Sequence, residues 1–497
     1  MDFLPLRATG FEPERAAVMD DSGTYSYGQL SEGALRWAHL LLNGQSDLFE
    51  TRVAFMVDPG ADYVQVQWGI WLAGGVAVPL CITHPLPSLQ YTLEDTGADI
   101  LVVAPQYLDL LLPVVEDLNI RLLTLADQPA KIPDRPWPTL HPGRRAMILY
   151  TSGTTSKPKG VVTTHGQISA QISTLVDAWQ WTAQDHIVCV LPLHHVHGII
   201  NVVGCALWSG ARITFLPAFE ADKVFGLFET QDINLFMAVP TVYFKMMAWL
   251  EQQPPEKQAA LKERMAAFRL MVSGSAALPV SVMERWQSFS GQTLLERYGM
   301  TEIGMALSNP YIGERKPGHV GQPLPGVQVR LVDEKGAIVL QQEPGEIQVK
   351  GPSVFKEYWQ RPEATQAAFT RDGWFRTGDV AVFENGSYRI LGRLSTDIIK
   401  SGGYKLSALE IEECMRNYEH LSDCAVIALP DEEWGEIVAA ALVVKTGFDL
   451  PVFKDWLRLQ LPGYKVPRRY LFLDALPRNA MGKVTKPALR DLFESQP

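Results

Sequence analysis

The sequence predicts an α/β protein with a large N-terminal domain of layered sheets and helices, a β-meander, and a small C-terminal α+β domain. The first observation is length, because 497 residues are more than one hydrophobic core normally serves. The second is a series of short, continuously apolar runs separated by helical stretches, which is typical of strands covered on both faces. The third is a change of pattern near Gly326, where antiparallel hairpins begin.

The N-terminal part of the chain repeats short β-rich apolar runs with helical stretches between them. Because apolarity within each run is continuous rather than alternating, each run predicts a strand buried inside an α/β layer. The runs are RVAFMV from Arg52, GVAVPL from Gly75, DILVVA from Asp99, HIVCVLPL from His186, RITFLP from Arg212, NLFMAVP from Asn234 and RLMVSGSA from Arg269.

The segment after Gly326 predicts a β-meander. VQVRLVDEKGAIV has a turn at Lys335-Gly336, and VAVFENGSYRILGR has a hairpin signal at Asn385-Gly386. From Ser395 onward, CAVIAL, AAALVVK and PVFKDWLRLQL again mix strand-like and helical patterns over a length sufficient for a small domain. We therefore expect an N-terminal domain of residues 1–393 and a C-terminal domain of residues 394–497.

Composition narrows the range of partners and locations. The net charge is −11 and no lysine/arginine run is present, so nucleic acid is an unsuitable partner and an anionic substrate would need local cationic pockets. The five cysteines are scattered without C-x-x-C pairs, as expected for reduced thiols. The N-terminal residues lack the pattern of a signal or transit peptide, and histidines interrupt the most apolar region, residues 186–208. The expectation is a cytoplasmic protein without a membrane span.

The segment YTSGTTSKPKG, Tyr150 to Gly160, is the most informative motif. It lies between two apolar runs and brings hydroxyls, backbone N–H groups and ammonium charges to the end of a strand, which is chemistry suited to a polyphosphate. Six residues separate Gly153 from Gly160 and no Lys-Ser or Lys-Thr pair follows, so this is not the common P-loop. A solvated Gly/Ser/Thr loop is the alternative.

A second group of residues suits a nucleotide. In RYGMTE, an aromatic ring beside Gly299 can stack on a base, while Thr301 and Glu302 offer oxygens to a phosphate and to magnesium. Alone, this motif could be a strand end with a solvated carboxylate. Upstream, SGSAALP from Ser273 has small residues that let the backbone approach a planar ring, and downstream, Asp379 in WFRTGD can accept ribose hydroxyls.

With GRLSTDIIKSGGYKLSALEIE from Gly392 and PRNAMGK ending at Lys483, these motifs resemble the adenylate-forming superfamily of acyl-CoA synthetases, adenylation domains and luciferases. The resemblance covers nearly the whole chain. It implies an ATP-dependent, AMP-forming acid–thiol ligase with ATP, Mg²⁺ and coenzyme A as its small molecules. The implied catalytic residues are Thr154, His197, Glu302 and Lys483, with Glu302 also holding magnesium. The implied nucleotide-binding residues are Thr151, Ser152, Gly153, Thr154, Thr155, Lys159, Gly274, Ser275, Ala276, Tyr298, Gly299, Thr301, Asp379 and Arg393.

The resemblance also implies a mobile C-terminal domain. Lys483 would bridge the substrate carboxylate and the α-phosphate during adenylation and would withdraw when the small domain rotates about a hinge at Ser395. Many relatives carry aspartate or lysine at that position. The rotation would bring Ser401, Gly402 and Gly403, which have little side-chain bulk, over a thiol tunnel for coenzyme A.

The segment LHHVHG, His194 to Gly198, has two interpretations. Three clustered imidazoles could bind a metal, but no cysteine or carboxylate lies beside them in the sequence, and strand alternation would direct His194 and His195 to opposite faces. The expectation is therefore that they hold no metal. By resemblance, the segment forms a wall of the acyl pocket, with His197 nearest the substrate.

The acid is suggested by Arg297, immediately before the Tyr-Gly motif. ERYGMTEIGMALSNP resembles the malonyl-CoA synthetase branch, in which an arginine here pairs with the second carboxylate of a dicarboxylic acid; a guanidinium can bind carboxylate bidentately. Lys245 in PTVYFK stands where some relatives have a second arginine, and Met300 is the other implied acyl-pocket residue. The alternative is an Arg297 paired with Glu296 or another acid.

Two classes of activity therefore remain open. The first is a ligase that forms malonyl-CoA, or methylmalonyl-CoA, through an acyl-adenylate with release of AMP and pyrophosphate. A synthetase for another short- or medium-chain acid is a variant of it. The second is a free-standing adenylation protein that loads the pantetheine of a carrier protein. A non-catalytic relative is disfavoured because Thr154, Glu302, Asp379 and Lys483 are all present.

Overall fold

The computed structural model describes residues 3–129, 137–151, 157–402, 404–479 and 482–495. Within these ranges the chain forms four β-sheets with helices packed on their faces. The strands, in chain order, are β1 Ala16–Asp20, β2 Gly23–Ser26, β3 Arg52–Met56, β4 Val76–Pro79, β5 Ile100–Val103, β6 Arg121–Thr124, β7 Arg145–Thr151, β8 Lys159–Thr164, β9 His186–Cys189, β10 Arg212–Phe215, β11 Leu235–Ala238, β12 Leu270–Ser273, β13 Leu295–Met300, β14 Gly304–Ser308, β15 Gln322–Pro323, β16 Gln328–Val332, β17 Gly345–Lys350, β18 Glu357–Tyr358, β19 Phe375–Glu384, β20 Ser387–Arg393, β21 Ile398–Ser401, β22 Tyr404–Ser407, β23 Leu421–Asp431, β24 Gly435–Val444 and β25 Arg469–Phe472.

The helices connect these strands and cover the sheets. They are α1 Leu4–Ala8, α2 Tyr27–Leu42, α3 Ala61–Leu72, α4 Leu86–Thr96, α5 Leu108–Leu118, α6 His165–Ala178, α7 Cys205–Ser209, α8 Ala221–Thr230, α9 Pro240–Leu250, α10 Pro255–Ala266, α11 Val280–Ser290, α12 Pro362–Ala368, α13 Ala408–Arg416, α14 Leu450–Gln460 and α15 Lys486–Ser495. A π-helical segment, His197–Gly204, runs directly into α7.

Two large sheets form the main body of the N-terminal part. One has the order β18-β8-β7-β4-β3-β5-β6, and the other has the order β15-β14-β13-β12-β11-β9-β10-β1-β2. The central strands of both sheets are parallel and largely buried. Antiparallel strands form three of the four sheet edges, and the fourth edge strand, β6, is parallel to β5. Helix α3 is buried along almost its whole length, with Trp68 and Trp71 inside the main core, because its neighbours cover every side of it. The predicted α/β layering is confirmed.

The β-meander is also present, as the four-stranded antiparallel sheet β16-β17-β19-β20. The turn between β19 and β20 is formed by Asn385 and Gly386, with φ angles of 53° and 75°, which is the left-handed geometry that an Asn-Gly hairpin requires. In the C-terminal part, β22-β21-β24-β23 with β25 beside β24 form the fourth sheet. Apolar clusters lie on both of its faces, under α13 and α14 and under α15.

Side-chain caps fix the positions of the helices that follow the loops of interest. Thr164 begins α6 with a capping box, in which its hydroxyl accepts from the Gln167 backbone N–H and the Gln167 side chain accepts from the Thr164 N–H. This helix follows β7 and β8, the hairpin that carries the predicted phosphate segment. No helix in the described ranges is long and apolar enough to cross a bilayer.

Candidate active site

The candidate site lies at the carboxyl ends of three neighbouring parallel strands. In register, Ala238 at the end of β11 lies opposite Ser273 of β12, and Ser273 lies opposite Glu296 of β13. The residues after these positions therefore meet at one edge of the sheet, which is where open α/β sheets bind ligands. They include the start of α9, the segment from Gly274, and the Arg297–Met300 end of β13.

The first group of residues at this edge is the Arg297 cluster, which we define as His197, Gly274, Ser275 and Arg297. A Cβ on Gly274 would lie 2.4 Å from Cζ of Arg297, so only glycine leaves room for the guanidinium there. The Ser275 hydroxyl lies 3.1 Å from Nδ1 of His197 and 3.5 Å from Nη2 of Arg297, and Ser275 has a φ of 68°. The predicted contact of this glycine with adenine stays a prediction, and within the chain the side of Gly274 that a Cβ would occupy is filled by Arg297.

Arg297 is buried without an anionic partner in the described structure. Only 3% of it is exposed, its Nε has no hydrogen-bond partner, and no ion pair joins it to a carboxylate in the described residues. Burial lowers the pKa of Arg297 to about 9. An unpaired buried cation is costly, so such a position is suited to an anion supplied from outside the chain.

Glu296 does not neutralise Arg297. Its Oε1 accepts a hydrogen bond of 3.0 Å from the backbone N–H of Leu278, and its Oε2 is buried without a partner. Burial raises the pKa of Glu296 to about 8, which the nearby Glu413 reinforces. The alternative in which Arg297 pairs with Glu296 is therefore not the arrangement in the described structure, because neighbouring side chains on a strand point to opposite faces.

His197 is the first residue of the π-helical segment and is almost fully buried. Burial, followed by the positive charges of Arg297 and Lys483 and by His195, lowers its pKa well below the ordinary value. Its Nε2 has no hydrogen-bond partner within the described ranges. The ring is therefore a neutral imidazole with one nitrogen available to a ligand.

The second group is the Asp379 cluster, which we define as Tyr298, Asp379 and Arg393. The Tyr298 hydroxyl donates to Oδ2 of Asp379 at 2.6 Å, and Nε of Arg393 donates to Oδ1 at 2.9 Å. Asp379 and Arg393 also face one another across the β19–β20 ladder. Although 81 positions separate Tyr298 from Asp379, their side chains form one network.

Glu302 lies beside this cluster and is connected to the phosphate hairpin. Its carboxylate is buried, and Oε1 accepts from the Tyr358 hydroxyl at 3.0 Å. Nζ of Lys159 lies 5.1 Å from the centroid of the same tyrosine ring, and Lys159 pairs with Thr151 in the β7–β8 hairpin. Burial raises the pKa of Glu302. A buried carboxylate oxygen of this kind is a ligand that a hard cation such as Mg²⁺ prefers.

Lys483 reaches this site from the C-terminal part of the chain. Burial first, and then the charges of Arg393 and Arg297, lower its pKa to about 8, while Asp379 acts in the opposite direction. The preceding Gly482 has a φ of 75°, and a Cβ there would lie 2.9 Å from Oγ1 of Thr241, in the first turn of α9. The lysine loop is therefore docked against the N-terminal end of that helix.

The remaining predicted residues lie on α9, at the end of β13 and in the loop after β12. Lys245 is exposed and stands four residues after Thr241, so both lie on the same face of α9. Gly299 and Met300 end β13, Thr301 lies in the following turn, and Ala276 is exposed. The predicted residues Ser152, Gly153, Thr154, Thr155 and Gly403 lie outside the described residues.

The predicted thiol segment packs within the C-terminal part of the chain, and the predicted hinge directly follows Arg393 of the Asp379 cluster. A Cβ on Gly402 would lie 2.7 Å from the Trp434 ring, so this glycine packs on its own domain. Ser401 pairs with Gly435 at the edge of β24. Ser395 lies in the turn between β20 and β21, where the backbone N–H groups of Thr396 and Asp397 both donate to the carbonyl of Arg393.

The expectation that His194 and His195 point to opposite faces of a strand was wrong. The strand ends at Cys189, so these residues lie in a turn, and their ring centroids are only 4.0 Å apart rather than on opposite faces. A cysteine also lies beside His194, because the loop after β4 brings Cys81 and His84 to it. Sequence analysis also missed Tyr358, whose role depends on a contact with Glu302, 56 positions away.

Two family models together match most of the chain. The AMP-binding enzyme family matches residues 7–359, and the AMP-binding enzyme C-terminal domain matches residues 410–483. The chain belongs to the AMP-binding enzyme family, and the predicted adenylate-forming resemblance is confirmed.

Individual relatives are similar over nearly the full length. The mitochondrial malonate–CoA ligase ACSF3 of Homo sapiens is 44% identical, over 96% of this chain and 89% of that protein. ATP-bound MatB from Rhodopseudomonas palustris is 34% identical with a TM-score of 0.90, over 99% of this chain and 98% of that one. Apo MatB from the same organism has the same identity and coverage, and a TM-score of 0.80. The arrangement with Lys483 in the site is thus closer to the ATP-bound form.

Proposed function

We propose that the protein is an ATP-dependent ligase that forms malonyl-CoA from malonate and coenzyme A through malonyl-adenylate, with release of AMP and pyrophosphate. The observation that carries this proposal is Arg297, a buried guanidinium seated on Gly274 without an anionic partner in the described structure. The similarity to malonate–CoA ligases over most of the chain supports the same acid.

In the first half-reaction, one malonate carboxylate attacks the α-phosphate of ATP and pyrophosphate leaves. Arg297 binds the other carboxylate, while His197 and Ser275 fix the position of the acid by hydrogen bonds. Lys483 stabilises the negative charge that develops between the attacking carboxylate and the α-phosphate. Each of these electrostatic interactions is stronger in a buried site than in water, because water does not compete for the charged groups.

On the nucleotide side, Asp379 accepts the ribose hydroxyls and Arg393 holds that carboxylate in place. Tyr298 with the Gly274–Ala276 backbone contacts adenine, Thr301 contacts the α-phosphate, and the hairpin residues Thr151 to Thr155 with Lys159 hold the β- and γ-phosphates. Glu302 has the donor type and the burial for Mg²⁺. When bound, the ion neutralises phosphate charge, and it also favours the ionised form of Glu302.

In the second half-reaction, the thiol of coenzyme A attacks the acyl carbonyl and AMP leaves. A lysine that stabilises the first half-reaction would obstruct the thiol in the second, so residues 394–497 rotate as a unit relative to residues 1–393. The pivot is Ser395, in a turn between the last meander strand and the C-terminal sheet. Rotation brings Ser401, Gly402 and Gly403 to the pantetheine channel.

Ser395→Pro tests this hinge. Proline fixes φ and removes the backbone N–H, so the variant should slow one half-reaction at least tenfold more than the other. The measurements are ATP–pyrophosphate exchange and single-turnover thioesterification of preformed malonyl-adenylate. The control is Ser395→Ala, which keeps the backbone free to rotate and should resemble wild type. A proline at another serine such as Ser288 cannot serve as the control, because Ser288 lies inside α11. Equal slowing of both half-reactions by Ser395→Pro would place the pivot elsewhere.

The substrate assignment is tested by pyrophosphate release with malonate, methylmalonate, succinate, acetate and octanoate, each with and without coenzyme A. Malonate should give the highest kcat/KM, and malonyl-CoA should form from coenzyme A with no carrier protein present. A preference for octanoate or acetate would contradict the role of Arg297. Product formation that requires a carrier protein would favour the carrier-loading alternative.

The cytoplasmic location stays a prediction, because the similar human ligase is named as mitochondrial. Both compartments keep thiols reduced, in agreement with the five free cysteines. Fractionation of cells of the source organism with antibody detection would decide between them.

A further inference from the structure

Two imidazoles and a thiol meet outside the groups used above. Cys81 and His84 lie in the loop that follows β4, and His194 lies in the turn that follows β9. One nitrogen of each histidine and the sulfur of Cys81 all lie within 4.8 Å of one another. We call these three residues the thiol–imidazole cluster. Neither the proposed reaction nor the nucleotide uses any of them directly.

The positions of these three side chains suit them to act as metal ligands. The Cys81 sulfur is buried and is held close to one nitrogen of each imidazole. A metal binds the thiolate form of cysteine and displaces the thiol proton as it binds. Nε2 of His194 is buried and has no hydrogen-bond partner in the described residues.

The donor set is selective among cations. One thiolate and two imidazoles suit a borderline-soft ion such as Zn²⁺, whereas Mg²⁺ prefers oxygen. Zn–S bonds of about 2.3 Å and Zn–N bonds of about 2.0 Å require donors roughly 3.3–3.7 Å apart in a tetrahedral site. Small side-chain rotations would bring the three atoms to that separation, and His84 is exposed and so has room to rotate.

We propose that Cys81, His84 and His194 form a site for a borderline-soft divalent cation, Zn²⁺ being the reference ion, with the fourth coordination position open to water. The site is distinct from the magnesium position at Glu302, because its donors are nitrogen and sulfur. Its existence does not depend on which acid the enzyme activates.

Occupation of the site would affect catalysis through charge. The ring centroids of His194 and His195 lie 4.0 Å apart, and His195 is close enough to Lys483 for their charges to interact. The cluster and Lys483 thus act on the same imidazole. A divalent cation would add positive charge on that side, which opposes the docking of the cationic Lys483 loop. The cation therefore inhibits adenylation.

Binding is tested with Co²⁺, whose d–d and thiolate charge-transfer absorption reports tetrahedral sulfur ligation directly. Purified full-length protein should bind one Co²⁺ per chain with a thiolate charge-transfer band, and Zn²⁺ should displace it. Cys81→Ser should abolish the band, and His84→Gln should weaken binding tenfold or more while leaving the fold intact, because His84 is exposed. Cys414→Ser, which removes a partly buried thiol of α13, is the matched control and should bind like wild type.

The functional consequence is tested by adenylation assays in excess Mg²⁺. Low concentrations of Zn²⁺ should inhibit wild type and Cys414→Ser at least tenfold more strongly than Cys81→Ser and His84→Gln, and a chelator should restore activity. Absence of the charge-transfer band in wild type, or its survival in Cys81→Ser, would overturn the site. Equal inhibition of all four proteins would overturn the link to catalysis. Failure of malonate as a substrate would leave the Co²⁺ result unchanged and so would be distinguishable.

Discussion

Asp379 and Arg297 lie in the same site but in opposite electrostatic situations. Two donors, Tyr298 and Arg393, already hold the Asp379 carboxylate. The Arg297 guanidinium, by contrast, contacts one hydroxyl at 3.5 Å and no carboxylate in the described structure. Both oxygens of the Asp379 carboxylate thus accept hydrogen bonds from within the chain, whereas the Arg297 guanidinium has no anionic partner among the described residues.

This difference teaches where specificity is located. A preassembled network binds its ligand with little rearrangement and serves any acid, since ATP is common to all of them. A buried cation without a partner favours the binding of an acid only if that acid supplies a second carboxylate. We therefore propose that the chemistry common to all acids depends on the Asp379 cluster with Lys483, and that the choice of acid depends on the Arg297 cluster.

The largest expected effect is that of Lys483→Ala, which should reduce adenylation about a hundredfold to a thousandfold for every acid. The lysine acts on charge that all acids develop alike, so malonate and acetate should lose activity equally. ATP–pyrophosphate exchange is the measurement, and thioesterification of preformed malonyl-adenylate should largely survive. Lys262→Ala, an exposed lysine of α10, is the control. Equal loss of both half-reactions would contradict the two-arrangement mechanism.

Arg297→Ala should separate the acids from one another. Loss of the guanidinium leaves the distal carboxylate of malonate unpaired in a buried pocket, which costs about 2–4 kcal/mol, or roughly thirtyfold to several hundredfold in kcat/KM. Acetate and propionate have no such group and should keep or gain activity. Steady-state kinetics with both classes of acid provide the test, with Arg285→Ala as a surface control. If all acids lost activity alike, Arg297 would be structural.

The pH dependence tests the coupling between the two regions. The pKa of Lys483 is lowered to about 8, so its cationic form is lost as pH rises through that value. Adenylation kcat/KM should therefore fall about tenfold per pH unit above pH 8, because this parameter reports the free enzyme.

Two variants identify the group whose titration causes this fall in kcat/KM above pH 8, which is the alkaline limb of the pH profile. Arg297→Ala removes one of the cations that depress the Lys483 pKa, so with acetate the limb should move to higher pH. Lys483→Arg stays charged throughout, so its residual activity should show no such limb. A limb that is unchanged in Lys483→Arg would assign the titration to another group.

The smallest expected effect is that of Gly274→Ala. The added Cβ would lie 2.4 Å from Cζ of Arg297 and must displace the guanidinium, so KM for malonate should rise about tenfold. KM for ATP should change much less if Gly274 serves mainly as the seat of Arg297. Gly226→Ala, where a Cβ meets open space, is the control. A larger rise in KM for ATP than for malonate would show that Gly274 acts mainly in binding the adenine ring.

The sequence was sufficient for the layered α/β fold and for the meander, because buried parallel strands and Asn-Gly hairpins leave local patterns. It was also sufficient to name Tyr298, Glu302 and Asp379 as one constellation through their resemblance to a family. It could not predict that Gly274 seats Arg297, or that Tyr358 bonds Glu302, since these contacts depend on tertiary packing rather than on spacing. The alternation of side chains along a strand did not extend to His194 and His195, because the strand ends at Cys189 and these two residues lie beyond it.

Because Gly482 lies close to Thr241, helix α9 limits how far the loop that carries Lys483 can enter the site. At 2.9 Å from Oγ1, a Cβ would be too close, and the φ of 75° also suits glycine, so the loop has no spare clearance. Thr241 shares its face of α9 with Lys245. If the acyl pocket extends to Lys245, as the resemblance implies, an acid that displaces this helix would also change how far Lys483 can enter the site. We therefore expect the fit of the acid and the position of the lysine to be linked through α9.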